Sequence, residues 1–128
     1  MPVEFDPERA IKEKKGVFQY NKDSVTRYGI LKRSDDDATN IQWFNCESHF
    51  TFHFGNSWDE VNSDGQTEVY LYAVQFTDFD MENLQEEHIV NENPDAVSFV
   101  KIVFNLDTGD MKTTRLIENL DIEFPVIN

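Results

Sequence analysis

Residues 43–60 read Trp43-Phe44-Asn45-Cys46-Glu47-Ser48-His49-Phe50-Thr51-Phe52-His53-Phe54-Gly55-Asn56-Ser57-Trp58-Asp59-Glu60. The alternation predicts an extended strand over Ser48–Phe54. Phe50, Phe52 and Phe54 would line one face, with His49, Thr51 and His53 on the other. An imidazole on a stiff apolar strand is well placed to bind a metal, which makes His53 a candidate ligand. On these residues alone, a histidine among phenylalanines reads more readily as a buried, hydrogen-bonded core residue. His49 and His53 lie four residues apart on a flat strand, too far to converge on one ion, so a two-histidine site is not expected.

Working outward, the 128 residues are enough for a single domain with a modest core. Eleven phenylalanines fit a β-rich chain packed from both sides. One cysteine, Cys46, excludes an internal disulfide framework and fits a reducing compartment. It has no evident base beside it and is expected to be structural. The net charge of −14 leaves no basic face for a nucleic-acid backbone or an anionic lipid surface. No apolar run reaches membrane-spanning length, and no signal-peptide pattern follows Met1.

The rest of the chain reads as strands between polar turns. Asp6-Pro7-Glu8-Arg9 predicts a short helix, with Asp6 as N-cap and Pro7 at its first position, running to about Lys15 and stopped by Gly16. Extended segments are predicted at Val17–Tyr20, Thr26–Lys32, Ile41–Phe44, Glu68–Phe76, Ser98–Leu106 and Met111–Ile117. In Ser98–Leu106, Val100, Ile102, Phe104 and Leu106 share a face, opposite Lys101 and Asn105. Asn62-Ser63-Asp64-Gly65 and Asp107-Thr108-Gly109-Asp110 are hairpin signals. The acidic stretch Asp80–Asn93, with His88, is expected to be a solvated loop carrying a short helix. Its carboxylates lack calcium-loop spacing. The strand spacing is that of a sandwich, barrel or propeller, and the pattern alone does not choose.

Five stretches resemble one family. The segment ending in His53-Phe54-Gly55-Asn56-Ser57-Trp58-Asp59-Glu60 is similar to the metal-binding signature of the carotenoid cleavage dioxygenases. Phe5-Asp6-Pro7, Arg27-Tyr28-Gly29-Ile30-Leu31-Lys32-Arg33, Asn105-Leu106-Asp107-Thr108-Gly109 and Glu123-Phe124-Pro125-Val126-Ile127-Asn128 resemble its other motifs, in the same order. Lys32 stands where the family has proline. The resemblance covers nearly the whole sequence.

What the resemblance implies is an all-β chain with a short N-terminal helix. Residues 1–128 would form a single domain, about two antiparallel blades of a seven-bladed β-propeller. Members hold Fe(2+) with four histidines from different blades and use O2 to cleave a conjugated C=C bond of an apolar polyene. By position His53 is an iron ligand. Glu123 is the carboxylate that accepts the N–H of an iron-bound imidazole. Two further ligands are expected upstream and one downstream, so this chain alone would be inactive and the missing blades would be its partners. His49 is left out of the site. Asn56, Trp58 and Glu60 are expected to shape the loop after the histidine strand. Members occur in plastids and cytosol. Two alternatives stand beside this reading: a non-catalytic binding or interaction module, and an oligomer that assembles a metal site from several copies of His53.

Overall fold

The computed structural model describes residues 2–77 and 96–118. It is built almost wholly of antiparallel strands with one short helix. Strand β1 (Val3–Phe5) pairs with β2 (Phe18–Tyr20), and helix α1 (Pro7–Glu13) bridges them. Strand β3 (Val25–Ile30) pairs with β4 (Gln42–Glu47), joined through a single 3-10 turn at Ala38–Asn40. Strands β5 (Phe54–Val61), β6 (Thr67–Phe76), β7 (Val97–Asn105) and β8 (Met111–Glu118) form a four-stranded sheet in chain order.

The local chemistry explains these elements. The Asp6 carboxylate accepts the Arg9 backbone N–H at 2.9 Å, and Pro7 occupies the first turn, where its missing N–H costs nothing. The helix ends sooner than expected. Lys14, not Gly16, takes the left-handed conformation, at φ 56°, and its N–H bonds to Ala10 C=O. The early stop lets the chain turn back so that Asp6 N–H reaches Val17 C=O at 2.9 Å, next to the β1–β2 ladder.

Both hairpin turns of the large sheet use the same device. Asn62 Oδ1 accepts the N–H groups of Asp64 and Gln66, and Asn105 Oδ1 accepts those of Asp107 and Thr108. Gly65 and Gly109 then adopt φ 79°, a conformation that a side chain disfavours. The two turns are tied together: Asn105 Nδ2 donates to Gln66 Oε1 at 2.9 Å, and Thr67 N–H donates to Asp107 Oδ2 at 2.6 Å.

Alternation along β7 buries Val100, Ile102 and Phe104 completely, as their spacing predicts. Ala73 of β6 and Phe44 of β4 complete this core, with Tyr28, Ile30, Val69, Leu71, Leu106 and Met111 packed around it. The β3–β4 hairpin thus covers one face of the sheet. A second, smaller cluster of Val74, Phe76 and Val97 lies against Tyr20, Phe50 and Phe99.

The predicted strand over Ser48–Phe54 is not formed. Strand β4 ends at Glu47, the chain bends at Phe52, and β5 starts only at Phe54. The segment crosses from the hairpin to the sheet, so it cannot stay paired to either. Phe50 meets Phe76 in an isolated bridge, with both N–H···O distances 2.8 Å. The expected two-faced alternation is lost with it: Phe52 and Phe54 are exposed, whereas His49 is buried. Asn56, Trp58 and Glu60 belong to β5 and not to a loop. Trp58 stacks on Tyr70 at 5.2 Å and on Tyr72 at 5.5 Å, which holds this edge strand on the sheet.

Truncating Ile102 to Ala removes a fully buried side chain from the centre of the core, and should cost about 2–5 kcal/mol. The same change at Val61, an exposed apolar residue at the end of β5, should cost below about 0.5 kcal/mol. Urea unfolding of the two variants checks the contrast.

Candidate functional site

His53 stands immediately before β5, the first strand of the four-stranded sheet, and is half-buried. Its ring lies 6.3 Å from that of Phe52. Just beyond it the β5–β6 register shifts between Phe54 and Asn56, leaving Gly55 as the extra residue of a bulge. Such a bulge turns the strand locally and re-aims the side chains next to it.

Four residues earlier, His49 sits in a buried polar cluster. Its Nδ1 lies 3.0 Å from the Glu47 backbone oxygen, which can only accept, so Nδ1 carries the proton. The Gln75 amide nitrogen can only donate, so Nε2, 3.1 Å from it, is the acceptor. The Tyr28 hydroxyl donates to the same Nε2 at 2.7 Å. Thr26 brackets the same residue through its backbone: the hydroxyl accepts His49 N–H at 3.0 Å and donates to His49 C=O at 2.9 Å. The Tyr28 and His49 rings stack at 5.6 Å.

Burial dominates the electrostatics here. It pushes the Tyr28 hydroxyl up to about 12, with the Gln75 hydrogen bond opposing. It lowers the proton affinity of His49, against the pull of the Glu47 carbonyl. Both shifts favour the neutral forms that the hydrogen bonds require. Cys46 Sγ lies 3.9 Å from His49 Nδ1. That nitrogen holds its proton for Glu47 and is no base toward the thiol, which burial raises to about 11, Glu47 adding to the shift. The structural reading of Cys46 stands.

The implied iron can be tested against these donors. Both ring nitrogens of His49 are taken, so it has none to offer a metal. No group of three or more histidine, cysteine, aspartate or glutamate side chains gathers among the described residues. Glu123 and His88 lie outside the described residues. The donors present fit the contribution of one imidazole, His53, and not a complete site.

The Tyr28–His49–Gln75 cluster was missed by reading the sequence for metal ligands. A signal for it existed: Gln75 is the one amide in Val69-Tyr70-Leu71-Tyr72-Ala73-Val74-Gln75-Phe76, and a polar side chain on a buried strand needs partners. Elsewhere, an open groove at the far end of the sheet is lined by Glu68, Tyr70, Lys101, Met111 and Lys112. There Tyr70 donates to Glu68 at 2.6 Å and Lys101 lies over the Tyr70 ring. It contains no histidine.

Compared with known proteins, residues 1–128 match the family model described as retinal pigment epithelial membrane protein. The chain belongs to this carotenoid cleavage dioxygenase family. It is 28% identical over 128 residues to a protein named carotenoid 9,10(9',10')-cleavage dioxygenase 1 from Arabidopsis thaliana, covering all of this chain and 23% of that protein. Against carotenoid 9,10(9',10')-cleavage dioxygenase from Crocus sativus it is 30% identical over 134 residues, covering all of this chain and 22% of the relative. A protein named 9-cis-epoxycarotenoid dioxygenase NCED6, chloroplastic, from Arabidopsis thaliana is 23% identical over 111 residues, 85% of this chain and 18% of its own length. The family chain thus spans under a quarter of the curated relatives it matches most fully. Among the described residues no helix is long and apolar enough to cross a membrane.

The His49 cluster makes a pH prediction. Unfolded, His49 titrates near 6.5; folded, its value is lower. Below 6.5 the unfolded chain binds a proton that the folded one refuses, so stability falls as pH drops through that value. His49→Gln should remove this component of the slope between about pH 7 and about pH 5. Asp37 and Glu68, both with lowered values, lose their contributions only at more acid pH. Urea midpoints across the range separate the two.

Proposed function

We propose that this chain is part of a carotenoid-cleaving dioxygenase, in which His53 is one of the protein ligands of a ferrous iron. The observation that carries the reading is the family match over the whole of residues 1–128. The names of the relatives supply the substrate class, carotenoids and epoxycarotenoids, and the dioxygenase chemistry. The name of one also makes the plastid a location to examine first.

The architecture supports it. A four-stranded antiparallel meander is the unit of a propeller blade, and β5 to β8 form one in chain order. We read β5 as the strand nearest the propeller axis, which would set His53 at the mouth of the central channel. The β3–β4 and β1–β2 pairs would then belong to neighbouring parts of the propeller. Trp58, Tyr70 and Tyr72 stack on the sheet face opposite the main core, where an adjoining blade would cover them.

Iron, when bound, supplies the activation of O2 for cleavage of a conjugated C=C bond to two carbonyl products. This chain contributes orientation and exclusion. His53 offers a ring nitrogen from a bulged, half-buried position, and Glu123 would fix the tautomer of a liganding imidazole. Phe52, whose ring is 6.3 Å from that of His53, packs edge-on against Phe50 and Phe76 at 4.6 and 5.6 Å and would make the approach apolar.

The test uses the protein that carries this segment, expressed from its complete reading frame. Iron content and O2-dependent release of carbonyl fragments from a carotenoid are measured together. His53→Ala should abolish cleavage and remove most of the iron, and Glu123→Gln should weaken metal retention by about 10- to 100-fold. Retention of iron and cleavage by His53→Ala would rule out its ligand role. A folded wild-type protein with neither iron nor cleavage would favour the non-catalytic binding module.

A further inference from the structure

We propose that Tyr28, His49 and Gln75 form a positioning network that sets the direction of the segment bearing His53, with His49 acting as a neutral imidazole protonated on Nδ1. That the target of this positioning is a metal ligand rests on the reading of His53 above; the network itself rests on geometry.

The segment between β4 and β5 must hold its course without a continuous ladder, since its backbone meets the sheet at the isolated Phe50–Phe76 bridge. His49 precedes that bridge and is 6% exposed. It is gripped from two elements at once. Thr26 and Tyr28 of β3 take its backbone and Nε2, and Gln75 of β6 reaches the same Nε2 beside the Tyr28 hydroxyl. Gln75 also donates to the Tyr28 hydroxyl at 3.4 Å, closing a triangle. The ring's other nitrogen ties it to its own chain at Glu47.

The Glu47 carbonyl requires a donor at Nδ1, and the Gln75 amide nitrogen, which can only donate, requires an acceptor at Nε2, where the Tyr28 hydroxyl then donates as well. Only the neutral Nδ1-protonated ring satisfies both with these groups as they stand. The side chain is thereby locked in place and in tautomer, and the next residue, Phe50, docks at Phe76. His53 follows three residues later, so its direction depends on where these two anchors release the chain. Rings held by packing and hydrogen bonds from behind are what keep a functional side chain within a fraction of an ångström of its working position.

The test is made on the 128-residue chain without iron. Long-range nitrogen–proton NMR correlations should give His49 the pattern of a neutral, Nδ1-protonated ring; a charged or Nε2-protonated ring would overturn the proposal. Carbethoxylation by diethyl pyrocarbonate, located by mass spectrometry, then reports on each histidine. His49 should be unreactive, and His53 slower than a free imidazole. His49→Leu should raise the His53 rate several-fold, and His49→Gln, which restores an acceptor for Tyr28 and Gln75, should bring it back toward wild type. An unchanged His53 rate in folded His49→Leu would overturn the proposal. If that variant does not fold, Tyr28→Phe makes the same comparison, since it deletes one donor and keeps the ring on Phe104; an unchanged rate there is equally fatal. Ile102→Val, a core lesion in β7, should leave the His53 rate alone, and an equal rise would reduce the effect to general loosening. The ligand reading fails separately: if the complete protein keeps its iron without His53, these rates are unaffected.

Discussion

Tyr28 joins the two kinds of interaction on which the structure depends. Its ring packs against Phe104 at 5.2 Å, within the core that holds the β3–β4 hairpin on the sheet. Its hydroxyl, at the edge of that core, is partly buried and finds partners inside the protein. His49 and Gln75 provide them. The apolar contact fixes where the hairpin sits. The polar contact, made from the same residue, fixes where the chain goes when it leaves the hairpin. Losing the hydroxyl would leave the core intact and the crossing segment less well directed.

The two ends of the four-stranded sheet are finished differently. At the hairpin end, Asn62 and Asn105 hold the turns from within, and Gln66, Thr67 and Asp107 tie the turns to each other. Local hydrogen bonds shape each turn, and two bonds spanning 39 and 40 residues tie the pair together. At the other end the chain enters β5 from a separate pair of strands. Long-range contacts close this end: His49 to Tyr28 and Gln75, and Phe50 to Phe76. His53 stands at this second end. The proposed ligand is thus placed where a scaffold of β-strands hands over to irregular chain, which is where folds commonly carry function.

This contrast also explains what was legible in the sequence. The helix cap at Asp6, both glycine turns and the buried face of β7 are encoded within a few residues, and each is found where its pattern placed it. The alternation of Phe50, Phe52 and Phe54 imitates the same signal and misleads. It carries no sign that the chain is leaving one sheet for another, so the strand it implied dissolves into a bridge and a bend. Trp58 looked like a loop residue because Asn56, Ser57, Asp59 and Glu60 around it are polar. As an edge strand, β5 needs only one apolar grip, and Trp58 on Tyr70 and Tyr72 provides it. The partners of His49 are 21 and 26 residues away in the chain, beyond the reach of any local pattern.

The residues that made the family recognisable therefore divide by task. Trp58 stacks within the sheet, and Asn56 accepts the Ser57 N–H at 2.8 Å, so the motif after His53 describes how an edge strand starts and is held. Arg27-Tyr28-Gly29 describes the strand that anchors the crossing. Neither stretch adds a metal donor. A ligand set shared among distant parts of a chain places its geometric demand on each part separately: one imidazole, correctly aimed. On that view the bulge at Gly55, the bridge at Phe50 and the buried ring of His49 all serve the direction of His53.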